Sequence, residues 1–253
     1  MRDVAGLPLP AEMTTHSAQT AVVAALEREV RPLVKGWRVS EKAFDGKRFR
    51  FFEDADVVVV CGGIGPQAAR RAAEAVIAIF EPKLIYSAGF AGALDARLKV
   101  GEVVRPARVI SANDGTSANV EGGDGILVSF ESVATREQKG KLRDSFGAHF
   151  VDMEASAVAR AAQARGIAFS AVKAISDEVD FEFPSMEQFV DSEGHFRERR
   201  FARFAVVRPW LWPQVVSLAR NSNRASRALC GWLRTLGRES AVEGSESHSS
   251  ASV

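Results

Sequence analysis

The sequence contains few of the residues that build metal sites and disulfide frameworks. It holds two cysteines and four histidines in 253 residues, and neither residue type recurs at the spacing of a zinc site. Cys61 and Cys230 each lie in an apolar segment, so we expect both to be reduced thiols in the core of a cytoplasmic protein. The sequence therefore predicts no metal site.

Long apolar segments and a strong net charge are also lacking. No run reaches the ~18 residues that cross a bilayer, and the first twenty residues lack the apolar segment of a signal peptide. The net charge of +1 gives no reason to expect a nucleic-acid partner. We therefore expect a cytoplasmic protein that does not bind nucleic acid.

Strand-like apolar runs alternate with alanine-rich helical patterns over most of the chain. The run Val57–Cys61 is apolar enough to be buried on both faces of a sheet, and a glycine turn and a helical pattern follow it. This alternation predicts an α/β fold of three layers, α/β/α, with a mixed, largely parallel twisted sheet. We expect this domain to span residues 20–195.

The C-terminal part has a different composition. Residues 197–238 include ten arginines and one acidic residue. Apolar residues and arginines fall on separate faces of a helix that we predict over 213–236, ended by Gly237. We expect residues 196–237 to form an Arg-rich helical extension, and residues 238–253, rich in serine and glutamate, to form a disordered tail.

Two interpretations of the 213–236 helix are open. The arginine face and the neighbouring Trp210, Trp212 and Trp232 suit a helix that lies on an anionic membrane or contacts a lipid-like substrate. The protein would then be peripheral to the membrane. Alternatively, the apolar face packs on the domain or on a partner subunit and the arginines lie in solvent.

Two glycine-rich segments follow predicted strands. Gly63–Ala68 satisfies the dinucleotide pattern GxGxxA, but the next strand ends at Ser87-Ala88-Gly89, without the acid that holds a ribose. The helix N-terminus after Gly65 suits an anion or a polarised water, and a tight turn alone also explains the glycines. Gly89–Gly92 is predicted as a turn of small residues around Phe90, which lets the backbone approach a flat ligand.

Three carboxylates lie at the ends of apolar runs, namely Glu29, Glu154 and Asp177. An open α/β sheet places its chemistry at the carboxyl ends of its strands. Carboxylates that converge there can protonate a leaving group, hold a sugar diol and position a water, which suits the cleavage of an N-glycosidic bond. Each one taken alone is also explained as a cap or first-turn acid of a helix.

Together these segments resemble the nucleoside phosphorylase/nucleosidase superfamily, especially the 5'-methylthioadenosine/S-adenosylhomocysteine nucleosidases. The resemblance covers about residues 20–182, in the family's order. The segments that carry it are Ala25–Val30, Gly62–Gly65, Gly89–Ala93 with Leu98–Glu102, Val151–Ala155 and Ala174–Asp177. Phe90 departs from the family's serine, and the stretch between Leu98 and Val151 is shorter. The Arg208-Pro209 step and the long basic helix resemble hopanoid-associated phosphorylases.

The resemblance implies a nucleoside phosphorylase-like fold and a role for each site residue. Asp177 is the general acid that protonates the purine, Glu154 accepts hydrogen bonds from the ribose diol, and Glu29 orients the attacking water. Met153 packs under the ribose. The other implied substrate contacts are Asp152, Val151, Gly63, Gly65, Gly89, Phe90, Ala91 and Ser176. Because free aspartate is ionised at pH 7, we expect burial or a neighbouring carboxylate to hold the proton on Asp177.

The resemblance also implies a reaction, which is hydrolysis of a 5'-substituted adenosine with release of adenine, without a metal or organic cofactor. Glu29 repels phosphate, although Arg28, Arg48 and Arg70 are candidates for a phosphate clamp. One alternative is phosphorolysis of a lipid-linked nucleoside of the adenosylhopane type. Another is a non-catalytic nucleoside-binding module. A homodimer is implied by the resemblance alone.

Overall fold

The computed structural model describes residues 18–181 and 212–249, with isolated positions between them at 189, 194, 197, 200 and 201. In the C-terminal helix, side chains are described up to residue 236. The strands and helices are, in chain order, β1 Thr20–Ala24, α1 Glu27–Val34, β2 Arg38–Phe44, β3 Lys47–Asp54, β4 Val57–Cys61, α2 Pro66–Phe80, β5 Leu84–Ala93, β6 Val103–Val104, β7 Arg108–Ser111, β8 Ser117–Asn119, β9 Ile126–Ser129, α3 Arg136–Phe146, β10 Phe150–Asp152, α4 Ala155–Gln163, β11 Ala168–Asp177 and α5 Trp212–Ser249.

The described strands form one mixed sheet of 11 strands. Strand β5 is at its centre, because it pairs in parallel with β1 on one side and with β11 on the other. The far end of β5 pairs antiparallel with β10, which leads on to β9, β7 and β8. The hairpin of β2 and β3 extends the opposite edge beyond β4. This arrangement confirms the mixed sheet that the sequence predicts.

Helices cover both faces of the sheet and give three layers. Residues of α2 and α4 pack with one face in a cluster built around Val58, Val76 and Val158. Residues of α1 and α5 pack with the other face in a cluster that includes Val30, Val172 and Leu229. Apolar side chains are buried on both faces, which explains why the central strands read as continuous valine-rich runs.

The apolar face of α5 is part of the core. Its buried apolar residues are Ala225, Leu229, Cys230, Leu233 and Leu236. The Ser226 hydroxyl donates a 2.9 Å hydrogen bond to the backbone carbonyl of Glu29, which ties α5 to α1. Of the two interpretations, packing of the apolar face on the domain is therefore the one that the structure shows. Trp212 and Val216, at the start of α5, remain exposed.

Two local predictions were wrong. Gly89–Gly92 is not a turn but the second half of β5, because it pairs with Lys173–Asp177 of β11. Helix α5 does not end at Gly237 but continues to Ser249, so residues 238–249 are helical where a disordered tail was expected. An interior glycine costs a helix only about 1 kcal/mol and removes no backbone donor. Trp210, the Arg208-Pro209 step and the boundary near residue 195 lie outside the described residues.

Candidate active site

The predicted carboxylates lie where strands end. Glu29 follows β1 in the first helical turn of α1, Glu154 is the N-cap residue of α4 just after β10, and Asp177 is the last residue of β11. The glycine turn of residues 62–65 follows β4. The site thus takes side chains or backbone from the carboxyl ends of four strands, β1, β4, β10 and β11. An open α/β sheet typically places its functional groups at the carboxyl ends of its strands.

Glu154 binds the glycine turn directly. Its Oε1 accepts a 2.9 Å hydrogen bond from the backbone N–H of Gly65, and its Oε2 accepts a 3.2 Å hydrogen bond from the N–H of Met153. Gly65 is the N-cap residue of α2 and has a φ of 96°, in the left-handed region that favours glycine. The anion expected at this helix N-terminus is therefore the Glu154 carboxylate itself.

A buried lysine that the motifs did not reveal lies among the acids. The side chain of Lys173 on β11 is 1% exposed, and its Nζ lies 2.8 Å from Asp152 Oδ2. It also donates a 3.0 Å hydrogen bond to the Ser87 hydroxyl on β5. A lysine inside the otherwise apolar stretch 171–175, four residues before Asp177, was the signal in the sequence.

Asp152 is occupied by protein partners. Besides Lys173, its Oδ1 accepts a 2.6 Å hydrogen bond from the Ser129 hydroxyl, and its Oδ2 accepts one of 2.9 Å from the N–H of Ala155. The Asp152 side chain has no exposed surface. In the structure Asp152 therefore binds Lys173 and the first residue of α4. The resemblance, by contrast, implies that Asp152 contacts the substrate.

Glu29 lies against the backbone of β5. A Cβ atom placed on Gly89 would lie 3.1 Å from Glu29 Oε2 and 3.9 Å from Lys173 Nζ, so the glycine leaves room for both groups. Burial raises the pKa of Glu29, while the N–H of Leu26 and the charges of Lys173 and Arg28 oppose this shift. Burial and then the charge of Asp152 raise the pKa of Glu154 to about 7, against the opposing charge of Lys173.

Asp177 has a cation as its partner. Lys139 on α3 donates to Asp177 Oδ2 at 2.5 Å, and the Ser176 hydroxyl donates to Asp177 Oδ1 at 2.8 Å. A Cβ atom on Gly92 would lie 2.8 Å from Asp177 Oδ2, so this glycine makes room for the carboxylate. The sequence predicts burial or a neighbouring carboxylate at Asp177, and the charged side chain that contacts it in the structure is an ammonium.

The remaining predicted contacts differ in their surroundings. Met153 is half-buried beside Glu154, and Gly63 is buried in the turn. Ala91 and Val151 are buried in apolar clusters, and the Phe90 ring packs against the cluster that α1 and α5 cover. The three arginines suggested for a phosphate clamp, Arg28, Arg48 and Arg70, are all exposed.

The charged side chains of the site approach strand β5 at two positions. Glu29 and Lys173 approach β5 at Gly89, and Asp177 approaches it at Gly92. Three residues of a strand span roughly 10 Å. This separation allows one ligand to have a sugar-like part beside Glu29 and a base-like part beside Asp177.

The chain is similar in sequence to known proteins. Residues 19–135 and 116–205 match the model of the phosphorylase superfamily. The 5'-methylthioadenosine/S-adenosylhomocysteine nucleosidase of Staphylococcus aureus strain bovine RF122 / ET3-1 is 28% identical over 193 residues, which cover 62% of this chain and 85% of the relative.

Solved structures share the fold. Futalosine hydrolase of Helicobacter pylori superposes with a TM-score of 0.66 at 18% identity, over 88% of this chain and 99% of that one. The 5'-methylthioadenosine/S-adenosyl homocysteine nucleosidase of Helicobacter pylori has a TM-score of 0.67 at 17% identity, with the same coverage of 88% and 99%. The predicted fold class is confirmed.

Proposed function

The chain belongs to the phosphorylase superfamily, as its motifs predict, and we propose that it hydrolyses the N-glycosidic bond of a 5'-substituted adenosine and releases adenine. The observation that carries this proposal is the arrangement on β5. Glu29 and Lys173 border Gly89, while Asp177 borders Gly92. This arrangement supports the assignment of Asp177 as the acid for the base and of Glu29 as the carboxylate for the water.

Each group has a distinct task in the proposed reaction. Asp177 donates a proton to the purine as the bond to the sugar breaks, a contribution of typically 10² to 10⁴ in rate. The ionised Glu154 accepts hydrogen bonds from the ribose diol, and its charge favours the oxocarbenium-like sugar. Met153, beside Glu154, packs under the ribose.

Glu29 and Lys173 act on the nucleophile. Glu29 accepts a hydrogen bond from the attacking water and takes up its proton as the water adds to the anomeric carbon. The raised pKa of this buried carboxyl suits proton uptake. The Lys173 ammonium, fixed by Asp152 and Ser87, limits the repulsion among the surrounding acids.

The charge balance favours water over phosphate as the nucleophile. Three carboxyl groups, Glu29, Asp152 and the half-buried Glu154, lie near one ammonium, Lys173. A phosphate dianion beside Glu29 would add negative charge to a region that already has an excess of it. The backbone N–H of Gly65, at a helix N-terminus, is of the kind that donates hydrogen bonds to phosphate. Here it donates to Glu154 instead.

The test is a substrate screen with the full chain. 5'-Methylthioadenosine, S-adenosylhomocysteine and adenosine are incubated with and without inorganic phosphate, and free adenine and the sugar product are quantified. We expect adenine and a free sugar at equal rates in both buffers, and strong loss of turnover in Glu29→Gln. Strict phosphate dependence with a sugar 1-phosphate product would overturn hydrolysis. Nucleoside binding without any turnover would indicate the non-catalytic binding module.

A lipid-linked nucleoside is the second candidate substrate, cleaved by phosphorolysis in the alternative reaction. The observation that favours it is the exposed start of α5, where Trp212 and Val216 lie close in sequence to Arg220 and Arg224. Residues 212–236 contain no acidic residue. A surface of this kind suits an amphiphilic ligand or an anionic lipid headgroup. A homodimer remains a prediction from the resemblance.

A further inference from the structure

The buried ion pair between Lys139 and Asp177 joins the first turn of α3 to the end of β11. The Lys139 side chain is 3% exposed and the Asp177 side chain 23%. Lys139 Nζ donates to Asp177 Oδ2 at 2.5 Å and to the backbone carbonyl of Glu178 at 2.9 Å. The lysine thus closes off one oxygen of the carboxylate.

The position of Lys139 is fixed by the start of its helix. Thr135 caps α3, since its Oγ1 accepts from the N–H of Gln138 while Gln138 Oε1 accepts from the N–H of Thr135. The N–H of Lys139 then donates to the carbonyl of Thr135 at 2.8 Å. The reciprocal cap holds the first turn of the helix, and with it the origin of the lysine side chain.

Helix stability and packing do not account for a lysine here. A cation in the first turn opposes the helix dipole. Removing an ammonium from water is also costly, and an apolar side chain in its place is often neutral or stabilising. The carboxylate of Asp177 compensates for this cost. The presence of a lysine at this position is therefore best explained by the function of Asp177.

We propose that Lys139 is a positioning residue that stabilises the carboxylate left on Asp177 after proton transfer, an inference that rests on the proposed function. In the step concerned, the O–H bond of Asp177 breaks and an N–H bond forms on the purine. The electron pair of the glycosidic bond goes to the departing base. Asp177 is left as a carboxylate paired with the Lys139 ammonium, which is the arrangement in the structure. A proton from solvent restores the acid before the next turnover.

The other charges near Asp177 are paired elsewhere. Glu178 lies 3.2 Å from Lys99, and Asp180 lies 2.9 Å from Arg136 of α3. The neighbouring segments Gly89–Ala93 of β5 and Val103–Val104 of β6 contain no charged residue. Lys139 is therefore the described cation in direct contact with Asp177.

The proposal predicts how kcat and KM divide the effect of removing the charge. The Lys139 ammonium acts on the carboxylate that forms as the proton leaves Asp177, so its loss affects the chemical step and leaves nucleoside binding largely unchanged. Removal of the charge should lower kcat by roughly tenfold, because the developing carboxylate loses its paired cation. KM should stay close to that of the wild type.

The experiment compares K139Q, K139R and wild type on the nucleoside that the wild type cleaves. Gln keeps a hydrogen-bond donor and removes the charge, and Arg keeps the charge. K141Q is the matched control, since Lys141 lies in the same helix with its side chain 72% exposed. We expect K139Q to show the lower kcat with little change in KM, K139R to recover kcat in part, and K141Q to match the wild type. Melting curves and circular dichroism establish folding.

Each outcome bears on one claim. A folded K139Q with the wild-type kcat overturns the role of Lys139 and leaves the proposed function standing. If K139Q does not fold, K139M provides the uncharged comparison, and failure of both to fold shows that the lysine serves the structure, which also overturns the inference. A wild type that neither cleaves any of the nucleosides nor binds adenine defeats the proposed function, and with it this inference.

Discussion

The backbone N–H of Gly65 donates a 2.9 Å hydrogen bond to Glu154 Oε1, between residues 89 positions apart. This bond joins the turn after β4 to the cap of α4, and it sets a carboxylate at the N-terminus of α2. Burial is the largest cause that raises the pKa of Glu154 to about 7, and the charges of Asp152 and Glu29 add to this increase. Glu154 is thus ready to change its charge near neutral pH.

Glu154 makes the stability of the protein depend on pH. Its pKa is raised from the ordinary 4.5 to about 7 in the folded state, so the folded protein binds more protons than the unfolded chain in this window. The free energy of unfolding therefore falls as pH rises from 4.5 to about 7. In Glu154→Gln this contribution is lost, and the stability of the variant relative to wild type rises by up to roughly 3 kcal/mol across the window.

Urea denaturation at a series of pH values measures this change. The pKa of Glu29 is also raised, so Glu29 makes the free energy of unfolding fall with rising pH as well. The Glu154→Gln variant keeps this second contribution. The control is Glu121→Gln, an exposed glutamate in a loop, for which the difference from wild type should be flat. A difference between Glu154→Gln and wild type that does not change with pH would contradict the raised pKa.

Asp177→Asn should abolish adenine release while ligand binding persists. Asparagine has the shape of aspartate and cannot supply a proton, so we expect kcat to fall by at least about 10². Single-turnover adenine release measures the chemical step, and calorimetry measures nucleoside binding. Asp180→Asn is the control, because the Asp180 side chain is 78% exposed. Turnover near the wild-type level in Asp177→Asn would remove Asp177 from the role of general acid.

Helix α5 should contribute to global stability through its buried face. Leu229 is fully buried in the cluster with Val30 and Val172, so Leu229→Ala should lower the free energy of unfolding by about 2–5 kcal/mol. Val216→Ala in the same helix, at a side chain 47% exposed, should change it by less than about 0.5 kcal/mol. Equal urea midpoints for the two variants would mean that α5 does not pack as the structure has it.

Although the apolar face of α5 packs on the domain, its arginine face is exposed and should bind anionic membranes through charge alone. Arg220, Arg224 and Arg227 are exposed, and each basic residue near an anionic surface contributes about 1 kcal/mol to binding. We expect the full chain to co-sediment with vesicles of phosphatidylserine and phosphatidylcholine at low salt, and less at high salt.

The variant for this test must keep the core intact. Truncation would remove Leu229 and Cys230 from the core, so the test uses the triple change of Arg220, Arg224 and Arg227 to Gln. Its matched control is the change of three other exposed arginines, Arg48, Arg71 and Arg165, to Gln. If both triple variants sediment like the wild type, α5 has no part in membrane binding and serves only as a scaffold.

Local patterns in the sequence were sufficient for much of the fold. The strand Val57–Cys61 occurs with the bounds that the sequence predicts. Strand β2, Arg38–Phe44, was missed, because its residues are exposed or half-buried and show no apolar run. Gly89–Gly92 was misread as a turn, since small residues also occur in a strand wherever a neighbouring side chain needs the space.

The sequence by itself determined the layered α/β class, the family motifs and the three carboxylates, because these depend on periodicity and on residues adjacent in the chain. Only the tertiary structure decided which charges meet. Lys139 reaches Asp177 across 38 positions, and Lys173 reaches Ser87 across 86. Such pairs leave no periodic trace, since their energy comes from shared burial in a low-dielectric interior that exists only once the sheet and its helices have assembled.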